Sequence, residues 1–236
     1  MTNKSIIVLL IFILAAAVCG TAYAEGPYTF ELVEGASYSE KNENWYIDLS
    51  VPEIRGMADE EKQKELNDNF IAVMEETITD YKRDAAFAEE SLKEGNAPHF
   101  GYEMTFETVV DSAEYFVFKT SWFMAAGSSM TVNEYYTLSK INGELVDFDD
   151  VVTTEEEMVS IRNQIFAEMK RINENEEGMY WTEDDTLDIS LGQVEYLRHW
   201  YINEDGNLVI TFDKYEIAPG AMGTSEFVID ANHQDA

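Results

Sequence analysis

Two stretches of this chain repeat apolar residues every three to four positions, and nearly everything else with a pattern alternates. Leu66, Phe70, Val73, Met74, Ile78 and Tyr81 would line one face of a helix running from about Ala58 to Ala86. A second helix is expected from Thr154. Glu157 three residues on completes a capping-box pattern, and Met158, Ile161, Ile165, Met169 and Ile172 form the stripe. Around these helices the strand signals come in adjacent runs. They are Trp45 to Val51, Tyr102 to Phe106, Tyr115 to Trp122, Thr131 to Leu138, Leu208 to Phe212 and Glu226 to Ile229. Asn142-Gly143 and Glu204-Asp205-Gly206-Asn207 mark turns. Strands in runs with helices coming singly indicate an α+β fold: an antiparallel sheet with two long helices packed on one side, rather than a parallel βαβ sheet. The order of elements suggests two related half-domains, about 25–139 and 140–236, within a single domain over 25–236.

The first 24 residues read differently. Lys4 gives a positive start, Ile6 to Cys19 is an apolar run, and Ala22-Tyr23-Ala24 supplies the small residues that precede a signal-peptidase cut. Residues 1–24 are therefore expected to be a signal peptide, which makes the remainder extracytoplasmic, secreted or associated with the cell envelope. Left uncut, the same run is long enough to anchor the chain in a bilayer. A lipid on Cys19 is a third arrangement. After cleavage no segment is long and apolar enough for membrane insertion. The only cysteine is Cys19, so the mature chain can form neither a disulfide nor a cysteine-ligated metal site.

Asp and Glu number 47 against 15 Lys and Arg, a net charge of −32. That surface repels nucleic acid and anionic lipid and attracts cations and basic proteins. It also keeps an exported protein soluble. Nothing in the sequence sets an oligomeric state.

Catalytic signatures are missing from the sequence. No Gly-x-Ser-x-Gly elbow occurs, and His99, His199 and His233 stand far apart without ligand neighbours at helical spacing. His199, among Tyr196, Trp200 and Tyr201, reads as a packed histidine. No cofactor, catalytic residue or metal ligand is assigned. Asn173-Glu174-Asn175-Glu176-Glu177-Gly178, running on to Asp184, approximates a calcium loop, but Asn replaces Asp at the first position and the last carboxylate is the shorter Asp. An acidic envelope hydrolase, or a calcium-dependent cell-wall enzyme, is the alternative this leaves open.

The most distinctive stretch is Tyr201-Ile202, a turn with Asp205-Gly206, the strand Leu208 to Phe212, and then Tyr215-Glu216-Ile217-Ala218-Pro219-Gly220-Ala221-Met222-Gly223. Pro219 has fixed φ, and its flanking glycines allow a tight loop. This pattern resembles the extracytoplasmic domain of RsiV-type anti-sigma factors, which also precedes the catalytic domain of PdaC-type peptidoglycan deacetylases. The likeness is sharp over Tyr201 to Ile229 and extends more weakly back to about Trp45. The resemblance implies an envelope module without catalysis of its own. In the anti-sigma branch such a domain binds lysozyme, so a basic protein such as lysozyme, or a cell-wall fragment, is the implied partner. The chain departs from the family at Gly220, where Tyr is common, and at Met222, where Ala is common. Ala126-Gly127-Ser128-Ser129 stands where the family often has Gly-Gly-Ala-His. Only five residues precede the apolar run, too few for a cytoplasmic sigma-binding domain. Because loops held by a sheet carry binding, the candidate binding residues are Ala126, Gly127 and Ser128 in one loop and Tyr215, Glu216, Pro219, Gly220 and Gly223 in the other.

Overall fold

The computed structural model describes residues 27–230 except 97, 127, 176 and 184. The leader read at residues 1–24, Gly127, His233, and Glu176 and Asp184 of the calcium-like loop lie outside the described residues. The elements run β1 (Glu31–Lys41), β2 (Trp45–Arg55), α1 (Glu60–Lys93), β3 (Phe100–Asp111), β4 (Tyr115–Ala126) and β5 (Ser128–Ser139). They continue with α2 (Phe148–Val151), α3 (Glu155–Glu174), α4 (Thr186–Leu191), β6 (Trp200–Ile202), β7 (Leu208–Phe212) and β8 (Ser225–Val228).

The α+β class is as the sequence indicates, but the strands form two sheets instead of one. The larger has the order β1-β2-β3-β4-β5 and the smaller β6-β7-β8. The expectation of an all-antiparallel sheet is also corrected, because β2 and β3 pair in parallel, with Trp45 opposite Phe100 and Leu49 opposite Met104. The cause is α1. A helix of 34 residues lies between the two strands and carries the chain back before β3 begins, as a parallel neighbour requires. Among the described residues no helix is long and apolar enough to cross a membrane.

The chain divides into two compact units. The first comprises the described residues up to Glu107 together with Thr120–Met130 and Lys140–Gly143. Along β2, Trp45, Ile47, Leu49 and Val51 are buried while Asp48 is exposed, the alternation of a half-covered strand. Phe70, Met74, Thr77 and Tyr81 form the buried stripe of α1, whereas Val73 falls off it and is exposed. Asn67 of α1 donates to the Ile54 carbonyl and accepts from the Ile54 N–H, both at 2.9 Å, so the helix is pinned to the β2 backbone. Trp45 stacks on Phe100 at 5.6 Å, and Tyr102 donates to Asp84 of α1 at 2.7 Å.

The second unit comprises Thr108–Lys119, Thr131–Ser139 and the described residues from Glu144 onward. Its core joins Ile161, Ile165 and Met169 of α3 to Trp200, Ile202, Leu208, Ile210, Phe212 and Phe227 of the small sheet. A second cluster, Val110, Val117 and Tyr135 with Tyr201 and Val209, includes side chains that the same strands carry on alternate positions. The start of α3 is set as its sequence indicates. The Thr154 hydroxyl accepts from the Glu157 N–H at 3.1 Å, and the Glu157 carboxylate accepts from the Thr154 N–H at 3.0 Å. Backbone and hydroxyl donors from Thr153 and Thr154 hold the Glu157 carboxyl below its usual range. Thr154→Ala removes one half of this box, with an expected loss of about 1 kcal/mol in a urea titration.

Candidate functional site

The connection from β7 to β8 holds most of the residues singled out from the sequence. Its base is a buried polar cluster. His199 is 3% exposed, and its backbone is tied on both sides, donating to the Val194 carbonyl and accepting from Thr211. Its Nδ1 lies 3.3 Å from Glu216 Oε2 and its Nε2 lies 3.5 Å from Asp213 Oδ2. The second contact is a charge contact rather than a hydrogen bond, since Nε2 has no aligned acceptor. Asp213 accepts from the Asn133 N–H at 2.9 Å and from the Asn133 side-chain amide at 2.6 Å. The Glu216 carboxylate also accepts from the Asp213 N–H at 2.6 Å.

A carboxylate therefore faces each ring nitrogen. Neutral imidazole has a proton on only one nitrogen, so one lone pair would confront a carboxylate oxygen. The imidazolium form answers both. Burial alone would lower the His199 pKa, but Glu216, Asp213 and Glu134 outweigh it and raise the value. The Asp213 carboxyl is raised by burial, against the two Asn133 donors. An enclosed imidazole with a carboxylate beside each nitrogen is placed to anchor the loop.

Above this anchor the loop turns sharply. Tyr215 has φ +76, a left-handed conformation rare for a bulky residue, and is 57% exposed. A Cβ added to Gly220 would sit 2.2 Å from Tyr215 Cζ, so the ring lies directly over that glycine. Lys214 Nζ is 5.1 Å from the centre of the same ring. Pro219 opens a short 3-10 turn over Gly220–Met222, and Gly223 closes it at φ 71, ψ −151, a backbone region open essentially to glycine alone. Ile217 and Ala218 are buried beneath. The Trp181 N–H donates to the Ile217 carbonyl at 2.9 Å, and the Ser190 hydroxyl to the Glu216 carbonyl at 3.2 Å. Met179, Trp181 and Ile189, all exposed, thus stand in segments tied to the loop or next to ones that are.

The candidate residues separate into different roles. Tyr215 is displayed. Glu216 turns inward to His199. Pro219, Gly220 and Gly223 shape the turn. Ala126 and Ser128 are exposed residues of the first unit, while the Pro219 loop belongs to the second. Asn133 and Asp213 had no sequence signal, being brought together from 80 positions apart. In the calcium-like stretch, Asn173 uses its amide to brace the loop, accepting from the Tyr180 N–H at 2.8 Å and donating to the Tyr180 carbonyl at 2.9 Å. Among the described residues no group of three or more His, Cys, Asp or Glu side chains is arranged to hold a metal ion.

Residues 149–232 match a family described as a protein of unknown function, DUF3298. The chain is similar to the anti-sigma-V factor RsiV of Bacillus subtilis strain 168, at 26% identity over 191 residues, which is 80% of this chain and 64% of RsiV. Two crystal structures share the fold. One is a DUF3298 family member of Bacteroides fragilis, with TM-score 0.56 and 16% identity over 86% of this chain and 90% of the other. The second is a DUF3298 protein of Pseudomonas aeruginosa PAO1, with TM-score 0.51 and 13% identity over the same shares. The segment 149–232, which contains the His199 and Pro219 arrangement except Asn133 and Glu134, is thus the part of the chain that matches the DUF3298 family, in a chain similar to an RsiV-type anti-sigma factor.

Proposed function

We propose that this chain is an exported, non-catalytic binding or sensing module of the cell envelope, displaying the Pro219 loop to a basic protein such as lysozyme or to a cell-wall fragment. The observation that carries the reading is Tyr215. A bulky aromatic side chain is held outward at positive φ, and a buried ion cluster directly below fixes the turn that holds it. Strain of this kind persists only where the surroundings over-determine it, and it concentrates at binding and switching sites. Tyrosine also offers large contact area for little entropy loss. Similarity to RsiV supports the assignment to sensing. The net charge of −32 supports a basic partner, whose association an acidic surface accelerates. In this reading Tyr215 makes contact, Pro219, Gly220 and Gly223 shape the contact, Glu216 anchors it, and Ala126, Gly127 and Ser128 form a separate contact point.

The test is calorimetric titration with lysozyme and with soluble peptidoglycan fragments at two ionic strengths. Saturable binding that weakens with added salt is expected. Tyr215→Asn, which tolerates left-handed backbone, should weaken it by roughly tenfold or more while leaving stability near that of the parent. Absence of saturable binding at micromolar protein to either probe would overturn the reading.

A further inference from the structure

The small sheet has an open side. Its order is β6-β7-β8, so β8 is an edge. β8 pairs antiparallel with β7, Ile210 opposite Phe227 and Phe212 opposite Ser225, and the Ile229 N–H donates to the Leu208 carbonyl at 2.8 Å. Antiparallel ladders alternate, so Ser225, Phe227 and Ile229 direct their backbone groups toward β7. Glu226 and Val228 therefore direct theirs to the open side. Both residues are exposed, and among the described residues neither backbone has a bonded partner.

Beside this edge lies a cleft of about 600 Å³ between β8 and α3, with Ala167, Ile172, Phe227 and Val228 supplying apolar surface. Arg171 in its wall is already paired with Glu168 at 2.7 Å. The Glu226 carboxylate accepts from the Tyr135 and Tyr201 hydroxyls at 3.4 and 3.3 Å, and among the described residues it has no cationic partner. Exposed edges are ordinarily blunted by lysine or proline, and Ser225-Glu226-Phe227-Val228 contains neither.

We propose that the open edge of β8, with the cleft beside α3, is a strand-addition site for an extended basic peptide segment of a partner protein. Free N–H and C=O groups at alternate residues match the two-residue period of an incoming strand. Its apolar side chains would enter the cleft on the α3 side, and its alternate lysines or arginines would lie beside Glu226. A second copy of this chain is disfavoured as the occupant. Each copy carries −32, and antiparallel pairing of β8 with itself would bring Glu226 carboxylates close together. The site is distinct from the Pro219 loop, so the two proposals stand or fall separately.

The experiment titrates the ¹⁵N-labelled protein with the acetylated, amidated peptide Lys-Val-Lys-Val-Lys-Val-Lys. Saturable shifts on Glu226, Val228 and the Ala167 to Ile172 side of α3 are expected. Methylating alternate peptide nitrogens keeps the charge but removes the ladder, and should weaken binding by about tenfold or more. Glu226→Lys should weaken it by about tenfold, and by less at high salt. Equal affinity for the methylated peptide would overturn the proposal, as would shifts confined to other surfaces. So would sedimentation showing a β8-paired dimer that excludes the peptide. The methylated peptide gives its answer on the unmutated protein, whatever the variant does to folding.

Discussion

Asp213→Ala is expected to destabilise the protein by about 3–5 kcal/mol, the range for removing one member of a buried ion pair. The loss is large because three groups depend on this carboxylate. Asn133 would lose the acceptor for both its backbone and its side-chain N–H, and the buried His199 charge would lose the carboxylate facing its Nε2. Asp213→Asn retains an acceptor for Asn133 and should cost less, about 2 kcal/mol, since the charge goes but one hydrogen bond remains. Urea titration distinguishes the two.

The same cluster sets a dependence on pH. His199 binds its proton more tightly in the folded chain than in the unfolded one, where its pKa is about 6.5. Its stabilisation is therefore complete below the unfolded value and fades as pH rises through the raised, folded value. Asp213, also raised, works in the same direction over a lower window that begins at its ordinary value of 3.8. Stability should decline as pH rises from about 6 through the folded His199 value, and His199→Gln should flatten that decline. A wild-type stability that rises across this interval would contradict the imidazolium assignment.

Met169→Ala is expected to cost about 3 kcal/mol. Met169 is fully enclosed, and Ile165 and Ile161, one and two turns earlier, share its face. Those three side chains seat α3 on Ile210, Phe212 and Phe227. Truncation leaves a void that this packing cannot fill, whereas Met169→Leu preserves the volume and should cost less than about 1.5 kcal/mol. Equal losses for the two variants would mean that contact shape, rather than volume, governs the site. Because the same face of the small sheet leads directly into the Pro219 connection, Met169→Ala should also loosen Tyr215, detectable as faster amide exchange at Tyr215 and Glu216.

Features carried by short-range pattern are legible in the amino-acid sequence. The α3 stripe and its Thr154 cap are visible there because helical spacing and capping act within a few residues. The tail from Tyr201 to Ile229 is visible because turn residues and strand alternation are local. β1 is not legible. Its eleven residues include no buried one, and its register comes from backbone pairing with β2, where Glu31 meets Arg55 and Lys41 meets Tyr46. The parallel pairing of β2 and β3 is hidden too, since a sheet's direction depends on where a connecting helix delivers the chain.

The candidate site divides along the same line. Sequence by itself determined that Pro219 and its glycines make a tight loop, because φ preferences belong to single residues. It also determined the charge that any partner must meet. Only the tertiary structure decided that Glu216 points inward while Tyr215 points outward. Only there do Asn133, His199, Asp213 and Glu216 form one buried cluster. Coulombic and hydrogen-bond forces act through space, and no spacing along the chain records a contact that spans 80 positions.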